Sequence, residues 1–287
     1  MSEWPFIIST VTVQCAIGTF LVLALIEILV RPPIKAMGAP FFAVLIMLAI
    51  GTGASVLVEE SQSLRVFMPG LSLGSVILPS LDVLALILFS CSVFLYIVAR
   101  ALNTTLPIQF LILLPCTTFG IVLLLAISQS YSPMPAPLES NIWTAFQFIV
   151  TTLVTGPIAV ITLLYWRQDH ISTTLLQFLS KRLAIISLLA MTLTQISFTI
   201  YLFWIGTLHL PDNPLFNIDN GYLLVSARIV LTLASVQILA ISTLCGKSST
   251  LLASLCLILL LLAETSGRAF FFFVHQETTL VSSELRL

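Results

Sequence analysis

The chain has 287 residues, 59% of them hydrophobic and 8% charged, with 11 Lys+Arg against 12 Asp+Glu and a net charge of -1. Soluble domains carry roughly 25% charged residues, so these few charges cannot coat a water-facing surface of this size. With a mean hydropathy of +1.13, a soluble enzyme and a disordered chain are both excluded, and no basic face exists for nucleic acid.

A spanning helix needs about 20 mostly apolar residues, and eight runs qualify: 6–28, 40–58, 77–99, 107–128, 144–166, 183–205, 222–244 and 250–273. The opening MSEWPFIIST is acidic and lacks the basic n-region of a cleavable leader, so the first run is expected to stay in the membrane. Connectors such as RPPIKAMGAP, SPMPAPLESN and LHLPDNPLFNIDNG are rich in breakers. The runs are continuous, not alternating, which excludes a barrel, and helices satisfy their backbone groups internally as lipid demands. The expected fold is therefore all-α, one integral membrane domain over 1–287 built as a bundle of eight transmembrane helices. No internal repeat is legible.

Basic residues set topology. Arg31 and Lys35 lie in the first loop, Arg100 in the third, Arg167, Lys181 and Arg182 in the fifth, and Lys247 in the seventh. The even loops carry Arg65 with Glu59 and Glu60, then Glu139, then Asp212 and Asp219. The odd loops are expected to face the cytoplasm, and both termini the periplasm.

Cys15, Cys91, Cys116, Cys245 and Cys256 form no CxxC pair and sit in or beside apolar runs. They read as small core hydrophobes. His170 and His209 fall in loops and His275 beyond the last run, so no pair of imidazoles is expected at membrane depth to hold a haem. No metal or covalent cofactor is expected in this chain.

Ionisable groups within spans are costly and mark candidate sites. Asp82 lies near the outer end of the third run. Arg228 is about two turns into the seventh. Glu264 and Arg268 share one face of the eighth, four residues apart. At 1.5 Å per residue Glu264 is roughly 20 Å from the inner end of its span. All four fall in the outer half, while the inner half has only boundary charges such as Glu27 and Arg31, an i,i+4 pair able to snorkel. A site open to one side suits a membrane-soluble redox carrier whose head needs hydrogen bonds and a proton acceptor. The plainer readings are a Glu264–Arg268 structural ion pair, an interhelical tether at Arg228, a helix cap at Asp82, and a belt or packing surface at Phe270–Phe273.

Several stretches, in order, resemble the dimethyl sulfoxide reductase membrane-anchor family (DmsC-like). They are EWPFIISTVTVQCAIGTFLVLAL at the start; Trp143-Thr144 with Phe148, Thr151, Gly156 and Pro157; Ala227-Arg228-Ile229-Val230-Leu231; and Ala263-Glu264 with Gly267-Arg268 and Phe271. No one motif is specific; the ordered set is. The resemblance implies an anchor in the bacterial inner membrane. It would hold a four-cluster iron–sulfur subunit and a molybdopterin catalytic subunit on the periplasmic side, and oxidise menaquinol near that face in anaerobic respiration. The iron–sulfur clusters and molybdopterin would belong to the partners alone.

The chain departs from the family at a His-Leu-Gly-x-Pro-x-Arg pattern after the second span. Arg65 fits the Arg, but Glu59 stands at the His place, and Ser61 and Ser63 at the Gly and Pro. A following Ser-x-Leu-Ser-x-Glu pattern is eroded, with Asp82 one residue from its Glu. Glu59 and Asp82 are thus the candidate proton acceptors and Arg65 the candidate partner of a quinone oxygen, with Arg228, Glu264 and Arg268 structural or supporting. A purely structural anchor with a decayed site is the main alternative. A secondary transporter would need broken helices in corresponding halves; Gly156-Pro157 interrupts the fifth run without a counterpart.

Overall fold

A computed structural model describes residues 4–31, 34–58, 72–73, 76–77, 81–102, 104–130, 141–207, 221–244 and 249–284. Eight helices follow one another: α1 Trp4–Leu29, α2 Ile34–Val58, α3 Leu81–Ala101, α4 Leu106–Ser130, α5 Asn141–Trp166, α6 Thr173–Thr207, α7 Gly221–Leu244 and α8 Thr250–Glu284. All eight are long and apolar enough to cross a membrane. Their outward faces carry large apolar side chains, Leu111, Leu189 and Phe203 among them, as a lipid-facing surface requires.

Four boundaries differ most from the sequence reading, the first being α2, which begins at Ile34, six residues before its apolar run. Between α2 and α3 the strands β1 (Ser72–Leu73) and β2 (Val76–Ile77) form a two-residue antiparallel pair. It takes Ile77 away from the third run, so α3 starts at Leu81. A hairpin in a connector is compatible with a helical membrane domain, because only the spanning segments must satisfy their backbone alone. α6 begins ten residues before its apolar run and includes Lys181 and Arg182, whose exposed side chains extend the helix as polar turns. α8 continues past Phe273 to Glu284 and carries His275 within it, while His170 closes a short 3-10 turn and His209 lies outside the described residues.

Pro157 does not interrupt α5. The helix runs unbroken from Asn141 to Trp166 with the proline inside, as do α2 with Pro40 and α4 with Pro115. A missing N–H frees only one carbonyl, which neighbouring groups in a bundle can tolerate.

The core is organised around α1 and α5, whose spanning windows are 72% and 83% buried. α1 packs on α2, α4, α5 and α8, and α5 packs on α6, α8, α4 and α1. Helices α1–α4 close into one ring of neighbours and α5–α8 into another. Exchanging the two sets maps the pattern onto itself, apart from a slight α2–α5 contact. This repetition was invisible in the sequence, because lipid and packing constrain only which residues are small or apolar. At the α1–α5 crossing Gly18 and Gly156 meet backbone to backbone; a Cβ on Gly156 would lie 2.6 Å from the Gly18 oxygen and 2.8 Å from its Cα.

The two halves differ in their interiors. The first is aromatic: Phe20 lies edge-on to Phe41 and Phe89, and Phe41 packs on Tyr96. The second is lined by hydroxyls, including Thr151, Thr155, Ser187, Thr194, Thr232 and Ser235, all buried. Exposed Trp4 and Tyr222 mark one end of the bundle and exposed Trp166 the other, as aromatic anchors at two interfaces would. Below, the amino end is the one where α1 begins, and the basic end is the one bearing Arg31, Arg100, Arg167, Lys181 and Arg182.

Candidate functional site

Four buried polar side chains converge in the amino-end half, where α1, α5, α6, α7 and α8 meet. Arg228 sits seven residues into α7, about 10 Å below its start, and Gln14 about 15 Å below the start of α1. Arg228, Glu264, Arg268 and Gln14 are 5%, 3%, 5% and 0% exposed. Charges so completely removed from water persist only with partners. Arg228 Nη2 stands 3.7 Å from Glu264 Oε2, an ion pair too long for a hydrogen bond. The Thr151 hydroxyl donates to the same carboxylate oxygen at 3.0 Å. Arg268 Nη2 donates to Gln14 Oε1 at 3.4 Å.

Glu264 therefore finds its cation on the neighbouring helix, not one turn along its own. The i,i+4 spacing does put Glu264 and Arg268 on one face. Arg268, however, reaches across to α1 and lies over the Phe148 ring at 3.9 Å, while Arg228 lies over Phe198 at 4.1 Å. Cation–π contact stabilises both guanidinium groups where water is absent.

Gly267 makes the approach possible. A Cβ there would sit 2.6 Å from both Cδ and Cζ of Arg228, so the arginine lies flat against the α8 backbone only because this residue has no side chain. Gln147 of α5 donates to Ser197 of α6 at the edge of the cluster. Among the described residues, Arg228 Nε and Nη2, Glu264 Oε1 and Gln14 Nε2 are buried polar atoms without a hydrogen-bond partner. Such groups are costly in a folded core, and they concentrate where a ligand completes them.

The recess that Arg228 and Glu264 border is about 20 Å³, lined also by Gln147, Thr151, Phe198 and Tyr201 with Phe271 at its side, while Gln14 lies outside it against Arg268. That is room for about one oxygen atom with its hydrogen-bond partners. The Phe270–Phe273 run is a packing surface: Phe270 meets Phe198, Phe271 meets Tyr201, Phe272 meets Phe6 and Phe273 meets Trp4.

The other candidates are placed elsewhere. Asp82 is buried, 7% exposed, at the second residue of α3, where the positive end of the helix dipole favours a carboxylate. α3 packs on α2 and α4, so Asp82 belongs to the first half-bundle and is not part of the Arg228 cluster. Glu59 and Arg65 lie outside the described residues.

The basic-end half is not free of buried charge, contrary to the sequence reading. Glu27 is 5% exposed and pairs with Arg100 of α3 at 2.9 Å rather than snorkelling with Arg31. Arg100 also donates to Gln109 of α4 at 3.3 Å. Arg31, two residues past the end of α1, is in the left-handed region at φ 51 and lies over Phe110 at 5.0 Å. The spacing suggested a local pair, but the turn after Leu29 carries Arg31 away and the bundle brings Arg100 in. Among the described residues no three His, Cys, Asp or Glu side chains group closely enough to share a metal ion.

The Arg228–Glu264 cluster drew only a supporting role in the sequence reading. The signal that could have raised it is the run Glu264-x-x-Gly267-Arg268, a small residue between two charges at mid-span, which is the pattern of a helix that must admit a neighbouring side chain.

No curated protein and no solved structure shows significant similarity to the chain. The family model for the DMSO reductase anchor subunit (DmsC) matches residues 1–274. With eight membrane-length helices beneath that match, the chain belongs to the DmsC family and is the multi-pass membrane anchor of a DMSO reductase-type complex.

Proposed function

We propose that this anchor oxidises menaquinol at the Arg228–Glu264 recess and delivers the electrons to an iron–sulfur subunit docked over the amino end. The observation that carries the reading is the set of buried polar atoms on Arg228 and Glu264 that lack a hydrogen bond and line the recess. A quinol hydroxyl supplies what they lack: its oxygen accepts from Arg228, and its proton is given to Glu264 Oε1. The recess admits that oxygen, while the ring lodges at the mouth by parting Tyr201 and Phe271, whose rings are 5.5 Å apart. The isoprenoid tail stays in lipid.

Oxidation releases two electrons and two protons. The electrons pass to the partner's iron–sulfur clusters and on to a molybdopterin subunit. One proton is taken by the Glu264 carboxylate and leaves toward the amino end; the second follows once Glu264 has been deprotonated again. The basic residues at the opposite end support a periplasmic amino end by the positive-inside rule, in a bacterial inner membrane.

The test is made on the whole complex, isolated with its partners. Molybdenum and iron should be present in the preparation. Glu264→Gln should lower menaquinol-driven reduction of the terminal acceptor about 10²-fold, the scale of a lost proton acceptor, while reduction driven by a viologen dye stays at the wild-type rate. Asp82 favours a second reading, because it too is a buried carboxylate at the amino end. A site there, shared with Glu59 and Arg65, requires Asp82→Asn and Arg65→Gln, and not Glu264→Gln, to abolish quinol-driven turnover. If all three variants turn over quinol as the wild type does, the chain is a structural anchor only.

A further inference from the structure

A second cavity lies at the other end of the second half-bundle and plays no part in the proposed chemistry. Its volume is about 250 Å³, room for a group far larger than one water. It lies between the end of α5, the first turns of α6, the last turns of α7 and the start of α8. Ile158, Ile161, Leu239 and Cys256 form its deep walls; Gln177, Lys181 and Ser249 stand at its rim.

Water cannot fill such a space well. The polar groups nearest the interior are already committed: Ser180 donates to the Gln177 carbonyl at 3.2 Å, Ser242 to the Leu239 carbonyl at 2.9 Å, and the Cys256 thiol to the Ser235 carbonyl at 3.5 Å. A water at the floor would face the hydrocarbon of Ile158, Ile161 and Leu239, while the cavity opens outward at its rim. The rim has the opposite character. Among the described residues it holds one cation, Lys181, and no carboxylate lines the cavity. The Ser249 hydroxyl oxygen accepts the Leu252 N–H at 3.2 Å as α8 begins, leaving the O–H of Ser249 directed away from its own helix. An apolar interior under a cationic, donor-bearing rim fits a ligand with a hydrocarbon body and an anionic head.

We propose that this cavity is a binding site for one anionic phospholipid, an acyl chain filling the space between α5 and α8 and the phosphate resting on Lys181 and Ser249. The site is on the basic end, where anionic lipid headgroups and cationic side chains meet. It ties the second half-bundle together at the end opposite the Arg228 cluster, and stands whether or not quinol is oxidised there.

The test uses the purified full chain, stripped of lipid in detergent, with phosphatidylglycerol and phosphatidylethanolamine of matched acyl chains and with glycerol 3-phosphate as a tail-less probe. Native mass spectrometry reads the bound lipid and thermal melting reads its stabilisation. Phosphatidylglycerol should bind one molecule tightly. Lys181→Gln should weaken it about fivefold, the worth of one cation near a lipid surface, with no change for phosphatidylethanolamine. Ala184→Leu, which grows a side chain into the cavity, should displace both lipids, and glycerol 3-phosphate should leave the melting curve unmoved. Lys181 is exposed, so its variant folds even if Ala184→Leu does not. Equal phosphatidylglycerol binding by the wild type and Lys181→Gln, or stabilisation by glycerol 3-phosphate alone, overturns the proposal.

Discussion

Replacing Gly156 by Ala tests the architecture at its most crowded point. The new Cβ would run into the Gly18 carbonyl carbon, with the Gly18 oxygen at 2.6 Å and Cα at 2.8 Å. These are backbone atoms of a helix, so no rotamer change relieves the clash, and α1 and α5 must move apart by roughly 1 Å to restore ordinary contact distances near 3.5–4 Å. Overpacking of this kind costs about 1–3 kcal/mol. Because α4 also packs on α5 and α8 on α1 across the two halves, the separation loosens those contacts as well. Against this, Ala is favoured over Gly in a helix by up to about 1 kcal/mol. The net expectation is destabilisation of about 1 kcal/mol. Gly38 provides the control, since a Cβ there meets nothing within 4 Å and Gly38→Ala keeps only the favourable helix term. The two variants should therefore shift in opposite directions in unfolding midpoints measured by circular dichroism in mixed detergent micelles. A Gly156→Ala protein as stable as Gly38→Ala would show that α1 and α5 do not cross at this pair, and the two-ring packing would have to be abandoned.

Gly267→Ala meets the far end of a flexible side chain, Arg228, so it should fold nearly normally yet push the guanidinium off Glu264. Quinol-driven turnover of the complex should fall at least tenfold with little change in melting temperature, and unaltered turnover would count against the recess. Glu27→Gln should take the counter-ion from Arg100, leaving it the Gln109 oxygen, and lower stability by about 1 kcal/mol, the scale of polar pairs inside membranes. The Glu27→Gln, Arg100→Gln double variant should cost less than the two single losses combined, as a detergent-unfolding cycle would show. Thr151→Val removes the hydroxyl that donates to Glu264 at 3.0 Å. It should lower quinol-driven turnover severalfold while leaving viologen-driven turnover alone, and unaltered quinol-driven turnover would mean that Thr151 does not position the carboxylate.

Much of the fold was legible because hydrocarbon imposes simple rules. A run of 20 apolar residues has few fates in a membrane, so eight helices followed from the counting alone, and the ordered Trp, Gly-Pro, Arg and Glu-x-x-Gly-Arg signals marked the family. Pairing was not legible. The sequence offered Glu27 with Arg31 and Glu264 with Arg268, both four apart on one helix, and the bundle chose Arg100 and Arg228 instead. Four-residue spacing places two groups on a face, but a buried carboxylate takes whichever cation packing brings to it.

Composition and hydrophobic run lengths thus determined the membrane setting, the number of spans and the kinds of residue spared for chemistry, because the cost of putting charge or bare backbone in lipid acts on each segment separately. Which helices sit at the centre, that the halves repeat, and that Thr151, Arg228 and Glu264 from three distant segments face one recess were decided only in three dimensions. Those facts depend on close approach between helix surfaces, set at Gly18, Gly156 and Gly267 by the absence of a single carbon atom.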